Sequence, residues 1–169
     1  MKQLLLTCSL ILFVGFGCSK PETAVIQNLT TYQNTEYGFA FDYDGAKFEA
    51  VPSVDRKQKM YGLDADLFAS LRDNSRGQAF NIINFYAKEG LTSGDYVKAI
   101  EASGPNNKVK SQIQVTKGKI RMMEIVSSTD SGTDKYHYLF DRNGTTIVLS
   151  IAIQEEGTNT PMLSTFRGL

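Results

Sequence analysis

From Tyr37 onward the apolar residues fall on alternate positions. Tyr37, Phe39, Phe41 and Tyr43 project from one face of an extended chain, the period-2 pattern of a half-buried strand. Asp44-Gly45 supplies a turn into a second strand over residues 47–51. Leu63, Ala65, Leu67, Ala69 and Leu71 alternate with Asp64, Asp66, Phe68 and Ser70, which predicts a third strand with its core face on the odd positions. Residues 79–87 are apolar on both parities, as expected of a strand covered on both sides. The period then changes. Thr92 or Ser93 can cap a helix that carries Tyr96, Val97 and Ile100 on one stripe and stops at Gly104-Pro105.

Two hairpins follow. Residues 113–116 and 119–127 read as strands around Lys117-Gly118, with Met122 or Met123 filling irregular space in the core. Asn143-Gly144 is a stronger signal, because a type I′ turn needs two positive φ angles and these residues accept them. Counting outward from that turn sets Phe140 opposite Ile147, Tyr138 opposite Leu149 and Tyr136 opposite Ile151. Thr160-Pro161 reads as the cap and first position of a short C-terminal helix through Met162, Leu163 and Phe166. Strands, one helix, more antiparallel strands and a final helix predict an α+β fold, an antiparallel sheet with helices packed on it. The pattern shows no internal repeat and no second domain.

The first 35 residues follow a different logic. Met1-Lys2-Gln3 is a short positive head, residues 4–17 an apolar stretch, and Gly17-Cys18-Ser19 a small-residue boundary followed by polar residues. The apolar run of about 14 residues would extend about 21 Å as a helix, short of a bilayer core of roughly 30 Å. Residues 1–17 are therefore expected to be a cleaved signal peptide. The order of charged head, apolar run, small residue and cysteine resembles a bacterial lipoprotein signal, which implies that Cys18 becomes an acylated first residue, carrying chains such as palmitate. Gly15 stands where that pattern prefers an aliphatic residue, and simple secretion or a retained segment are the alternatives. Residues 18–35 are expected to be the lipidated cysteine and a polar, flexible tether, and residues 36–169 the folded domain. By the same resemblance, Ser19 after the cysteine implies the outer membrane, facing the periplasm, in a cell that has two membranes.

Composition narrows the chemistry. The chain has 169 residues with 18 basic and 18 acidic groups, and only Lys2 lies in the leader, so the remainder carries one excess negative charge. That balance excludes nucleic acid as an expected partner. Both cysteines, Cys8 and Cys18, precede the domain, which is left without a disulfide pair or a thiolate nucleophile.

The lipoprotein start, the segment Asn34-Thr35-Glu36-Tyr37-Gly38-Phe39-Ala40-Phe41-Asp42-Tyr43, the order of elements and Leu163-Ser164-Thr165-Phe166 together resemble PsbP-like lipoproteins, a resemblance that also takes in the DcrB family. It covers about residues 34–169. It implies an α/β/α sandwich and mostly non-enzymatic work, docking on a larger assembly or stabilising it.

Four features could carry chemistry. His137 is the only histidine; it faces Ser150 across the hairpin, whereas Asp141, four residues along, lies about 13 Å away at strand rise and cannot orient the imidazole. Asp42, Asp44, Asp64 and Asp66 could bring oxygen donors from two strands to a hard cation such as Ca²⁺, but alternating acids normally form a solvated face. Lys108, Lys110, Lys117, Lys119 and Arg121 have no acid among them between positions 108 and 121 and could meet lipid head groups or an acidic partner, but lysines along a strand edge are more commonly a guard against strand addition. The aromatic residues Tyr136, Tyr138, Phe140 and Tyr37–Tyr43 could line a ligand groove or fill the core. No glycine-rich phosphate loop occurs. The expectation is a non-enzymatic, membrane-tethered interaction or assembly module of the cell envelope. It needs no cofactor, is held by its lipid anchor and binds a protein or envelope component. A carrier of a small molecule or metal is the first alternative and a hydrolase the distant one.

Overall fold

The computed structural model describes residues 28–74, 80–129, 132–151 and 160–169. The predicted leader, Cys18, residues 19–27 of the predicted tether and Ala79 lie outside them. Within the span read as tether, Leu29–Asn34 forms a strand, β1, paired antiparallel with β2 (Phe39–Asp44) in the register Tyr32 to Phe41. Leu29–Asn34, read from the sequence as tether, is therefore part of the fold. Apart from half-buried Tyr32 and Asn34, β1 is exposed, so no hydrophobic period marks it. Besides its pairing with β2, one ring ties it to the core: Tyr32, with its centroid 5.1 Å from that of Phe41 and 6.2 Å from that of Phe85.

The order continues with β3 (Phe48–Pro52), β4 (Lys57–Met60), β5 (Leu63–Asp73), β6 (Phe80–Glu89), α1 (Ser93–Ala102), β7 (Lys108–Lys117), β8 (Ile120–Ser128), β9 (Asp134–Arg142), β10 (Thr145–Ile151), α2 (Thr160–Leu163) and β11 (Arg167–Gly168). β1, β2 and β11 form a small sheet. The others make an eight-stranded sheet in the order β3-β5-β6-β10-β9-β8-β7, with β4 also pairing β5, and every pairing is antiparallel. The β9–β10 hairpin has the predicted register, Phe140 to Ile147, Tyr138 to Leu149 and Tyr136 to Ile151, around Asn143 and Gly144 at φ 51° and 81°. The same pair of positive φ angles recurs at Tyr61-Gly62, which joins β4 to β5. Tyrosine is an unusual occupant of that conformation, which is why this turn does not announce itself.

Two sequence expectations need correction. The odd positions of β5 do not share one core face: a bulge between Leu67 and Ala69 turns the strand over. Ala65 therefore packs in the cluster beside α1, whereas Ala69 and Leu71 join Phe68 in the cluster beneath the small sheet. The flanking layers also differ from an α/β/α sandwich. Among the described residues only α1 is a helix of substance; α2 has four residues and stops at Leu163, short of the predicted Phe166. The layer opposite α1 is the small sheet, with Phe39 and Phe41 from β2 and Phe166 from the C-terminal segment stacked into one core. Most of the described fold is antiparallel sheet.

α1 starts where a helix should. The Thr92 hydroxyl accepts the Asp95 amide at 3.1 Å and donates to the Asp95 carboxylate at 2.7 Å, satisfying an orphan donor of the first turn. Tyr96 and Ile100 are buried against the large sheet. At the β7–β8 turn, Gly118 (φ 59°) lies against the C-terminal segment so closely that a Cβ would come within 2.3 Å of the Phe166 carbonyl oxygen. The adjacent Lys119 amide donates to that oxygen at 2.7 Å, fastening the hairpin tip to the segment just before β11.

Candidate functional site

The α1 face of the large sheet holds the chain's one histidine. His137 on β9 is opposite Ser150, as its register requires, but its partners are others. Nδ1 is 3.1 Å from the Tyr96 hydroxyl, and Nε2 is 3.3 Å from the hydroxyls of both Tyr61 and Ser127. These come from α1, the β4–β5 turn and β8, so one imidazole ties three elements to β9. Ser127 is the partner that sequence reasoning misses, because β8 brings it beside His137 from the strand opposite to Ser150. Burial pushes the imidazole down to about 3, helped by the Lys135 charge, and raises Tyr61 to about 12 and Tyr96 well above its ordinary value. The ring is therefore neutral. Ser127 Oγ and His137 Nε2 have the spacing of a nucleophile and its base, but they are 1% and 0% exposed, and no described carboxylate touches the ring. The cluster is an internal clamp.

The four aspartates do not converge. Asp42, on the small sheet, is held by Arg167 through two 2.9 Å bonds and by Thr31 at 2.7 Å; the Arg167 guanidinium lowers its pKa. Asp44 accepts the Ala46 amide and closes its turn. Asp64 and Asp66 lie on β5 in the other sheet, the first paired with Lys59 at 3.2 Å and the second with Arg56. Among the described residues no three Asp, Glu, His or Cys side chains gather as a metal requires. The aromatic residues fill the core: Tyr43, Tyr138 and Phe140 are buried in it, and Tyr37 and Tyr136 pack against its edge.

Asp66 belongs to a cluster that no local pattern along the chain assembles. Arg56 Nε donates to Asp66 at 3.0 Å, and Arg56 Nη2 reaches Glu36 at 3.1 Å and the Tyr37 hydroxyl at 3.0 Å. Burial and the neighbouring carboxylates raise Tyr37 to about 12. The cluster stands at one end of the sandwich, where the β1–β2 turn meets β4 and β5, and walls an open groove of about 1310 Å³. Nine of its fourteen lining residues are charged, four basic and five acidic. Ala65 and Ala87 line it too, and side chains that small leave the hollow unfilled.

The basic set lies on and beside β7, which ends the large sheet. Lys110 pairs with Asp134 at 2.5 Å. Lys117 pairs with Glu124 at 3.7 Å and sits over the Tyr138 ring. Arg121 donates to the Gln114 amide oxygen. Lys108 and Lys119 are exposed. The structure thus divides the set between the two ends of one edge strand.

No family model and no curated protein matches the chain. Among solved structures it is similar to the solution structure of cyanobacterial PsbP (CyanoP) from Synechocystis sp. PCC 6803, with TM-score 0.56 and 12% identity over 90% of this chain and 99% of that one. At that identity the likeness is one of fold: the chain has a PsbP-like fold.

Proposed function

We propose that this chain is a PsbP-like or DcrB-like lipoprotein, held at a cell-envelope membrane by an acylated Cys18, whose domain docks a protein or envelope component and performs no catalysis. Buried acyl chains, at about 0.8 kcal/mol per CH₂, would make the attachment effectively permanent. In a cell with two membranes the domain would stand on the outer one and face the periplasm. The observation that carries the docking reading is the charged groove. A chamber for a small apolar ligand is enclosed and lined chiefly by apolar side chains, whereas this groove is open and nine of its fourteen lining residues are charged. Ion-paired charges of both signs, held rigid by Arg56, suit the polar complementarity of a macromolecular partner.

Crosslinking in intact membranes, followed by affinity capture of the full chain, tests the reading. The expected result is one partner recovered in stoichiometric yield and lost on Arg56→Glu. Recovery of the chain alone would overturn it. Mass spectrometry of the mature N-terminus tests the anchor: acyl mass on Cys18 is expected, and a chain still beginning at Met1, or one released without acyl mass, removes the tether from the proposal.

A further inference from the structure

The two edges of the eight-stranded sheet are built differently. At one edge β5 is covered by two short strands: β3, five residues ending at Pro52, and β4, four residues that include Lys57 and Lys59. Short strands, proline and lysine are the ordinary means of refusing an added strand. At the other edge β7 runs for ten residues. Its pairing with β8 shifts between Val109 and Ser111 and is then unbroken from Ser111 to Lys117. Residues 111–116 contain neither a charge nor a proline, and Ile113 among them is 50% exposed. Half of the backbone N–H and C=O groups of an edge strand point away from its neighbour, and no described strand lies beyond β7.

The charges stand outside this stretch. Lys108 and Lys110 precede it, Lys117, Lys119 and Arg121 follow it, and no acid occurs between positions 108 and 121. Asp134 and Glu124 compensate Lys110 and Lys117. Among the described residues Lys108, Lys119 and Arg121 have no acidic partner. An uncharged run of about 20 Å, at strand rise, thus lies between two positive ends.

We infer that β7 is a docking edge that takes an extended, acidic segment of a protein partner as an added strand. The inference rests on the interaction-module reading above and adds to it a second surface, apart from the charged groove. Main-chain hydrogen bonds would give the affinity, and alternate side chains would give the selectivity. On one face an added strand meets Ile113 beside Val115, which packs on the aromatic core; on the other it meets Gln112, which bonds Ser93 of α1, and Gln114. Acids at both ends of the segment would answer the uncompensated cations. A second copy of this chain is the poorer occupant, because it would bring a second basic set against the first. An anionic membrane would engage the two ends but leave the backbone groups and Ile113 unmatched.

The test uses the full acylated chain in neutral detergent and a labelled ten-residue peptide of alternating Glu and Val. Saturable binding is expected, with slowed amide exchange confined to residues 111–117. Alternate N-methylation of the peptide backbone, which leaves its charge unchanged, should weaken binding at least about tenfold. Ile113→Glu should do the same without changing the melting temperature, since the side chain is half exposed. Equal binding of the methylated peptide, no binding of either peptide, binding only to phosphatidylglycerol vesicles, or a dimer with β7 protected in the absence of peptide would each overturn the inference. Membrane capture separates the two readings. A partner recovered equally well with Ile113→Glu leaves the module reading standing and removes this edge, whereas capture of nothing removes the module reading itself.

Discussion

Beneath the small sheet, the large sheet is packed by rings against rings; beneath α1, its opposite face is packed around a histidine held by hydroxyls. On the first face Phe41 lies 5.2 Å from Phe85 and 4.8 Å from Phe166 between centroids, nearly parallel to both. The energy there comes from area and shape. On the second face Tyr61, Tyr96 and Ser127 converge on His137, whose partners come from distant parts of the chain. A buried polar cluster of this kind contributes little net stability when complete and costs much when broken. The aromatic face therefore supplies the bulk of cohesion, while the histidine face fixes how α1 and the β4–β5 turn seat.

Four experiments sharpen or break that contrast. Phe41→Ala removes a fully buried ring and should cost about 3–5 kcal/mol in urea unfolding, enough to unfold a marginal domain. A loss below about 1 kcal/mol would mean that the small sheet is no part of the core. The second experiment concerns pH. His137 has a folded pKa of about 3, below its unfolded value of about 6.5, so the unfolded chain binds the extra proton and stability falls as pH drops through that window. Between pH 7 and pH 5 the loss should be about 2 kcal/mol, read from urea midpoints. His137→Gln should abolish that slope and Phe41→Leu should keep it; equal slopes in wild type and His137→Gln would refute the assignment. Thr92→Ala, which uncaps the helix over the histidine, should cost about 1 kcal/mol and speed amide exchange in the first turn of α1, with recovery in Thr92→Ser. Smallest is Arg56→Ala at the groove. Its partners are partly exposed, so global stability should change by less than about 1 kcal/mol even where partner capture is lost.

The elements marked by strong local signals were legible. Asn143-Gly144 fixed its hairpin to the residue, because turn geometry and the aromatic alternation demanded the same register. The capped stripe of Tyr96 and Ile100 gave α1. β1 and β4 were not legible, since each is polar and shown to be a strand by its pairing partner rather than its own pattern. The candidate sites fared similarly. The basic set could be read as a group, but its division between the two ends of an edge strand could not, because a period says which face a residue takes and not which strand is last.

The sequence alone determined the Asn143-Gly144 turn with the alternation around it and the cap of α1, properties of residues close together along the chain, and by its residue counts left the domain without cysteine or a histidine cluster. Tertiary structure decided the rest. It turned β5 over at a bulge, replaced the expected helical layer by a small sheet, drew Ser127, Tyr61 and Tyr96 to His137, and gathered Glu36, Arg56 and Asp66 beside one groove. These contacts join residues from different strands, turns and α1, and which of them meet depends on how whole sheets pack. Local pattern carries no term for that.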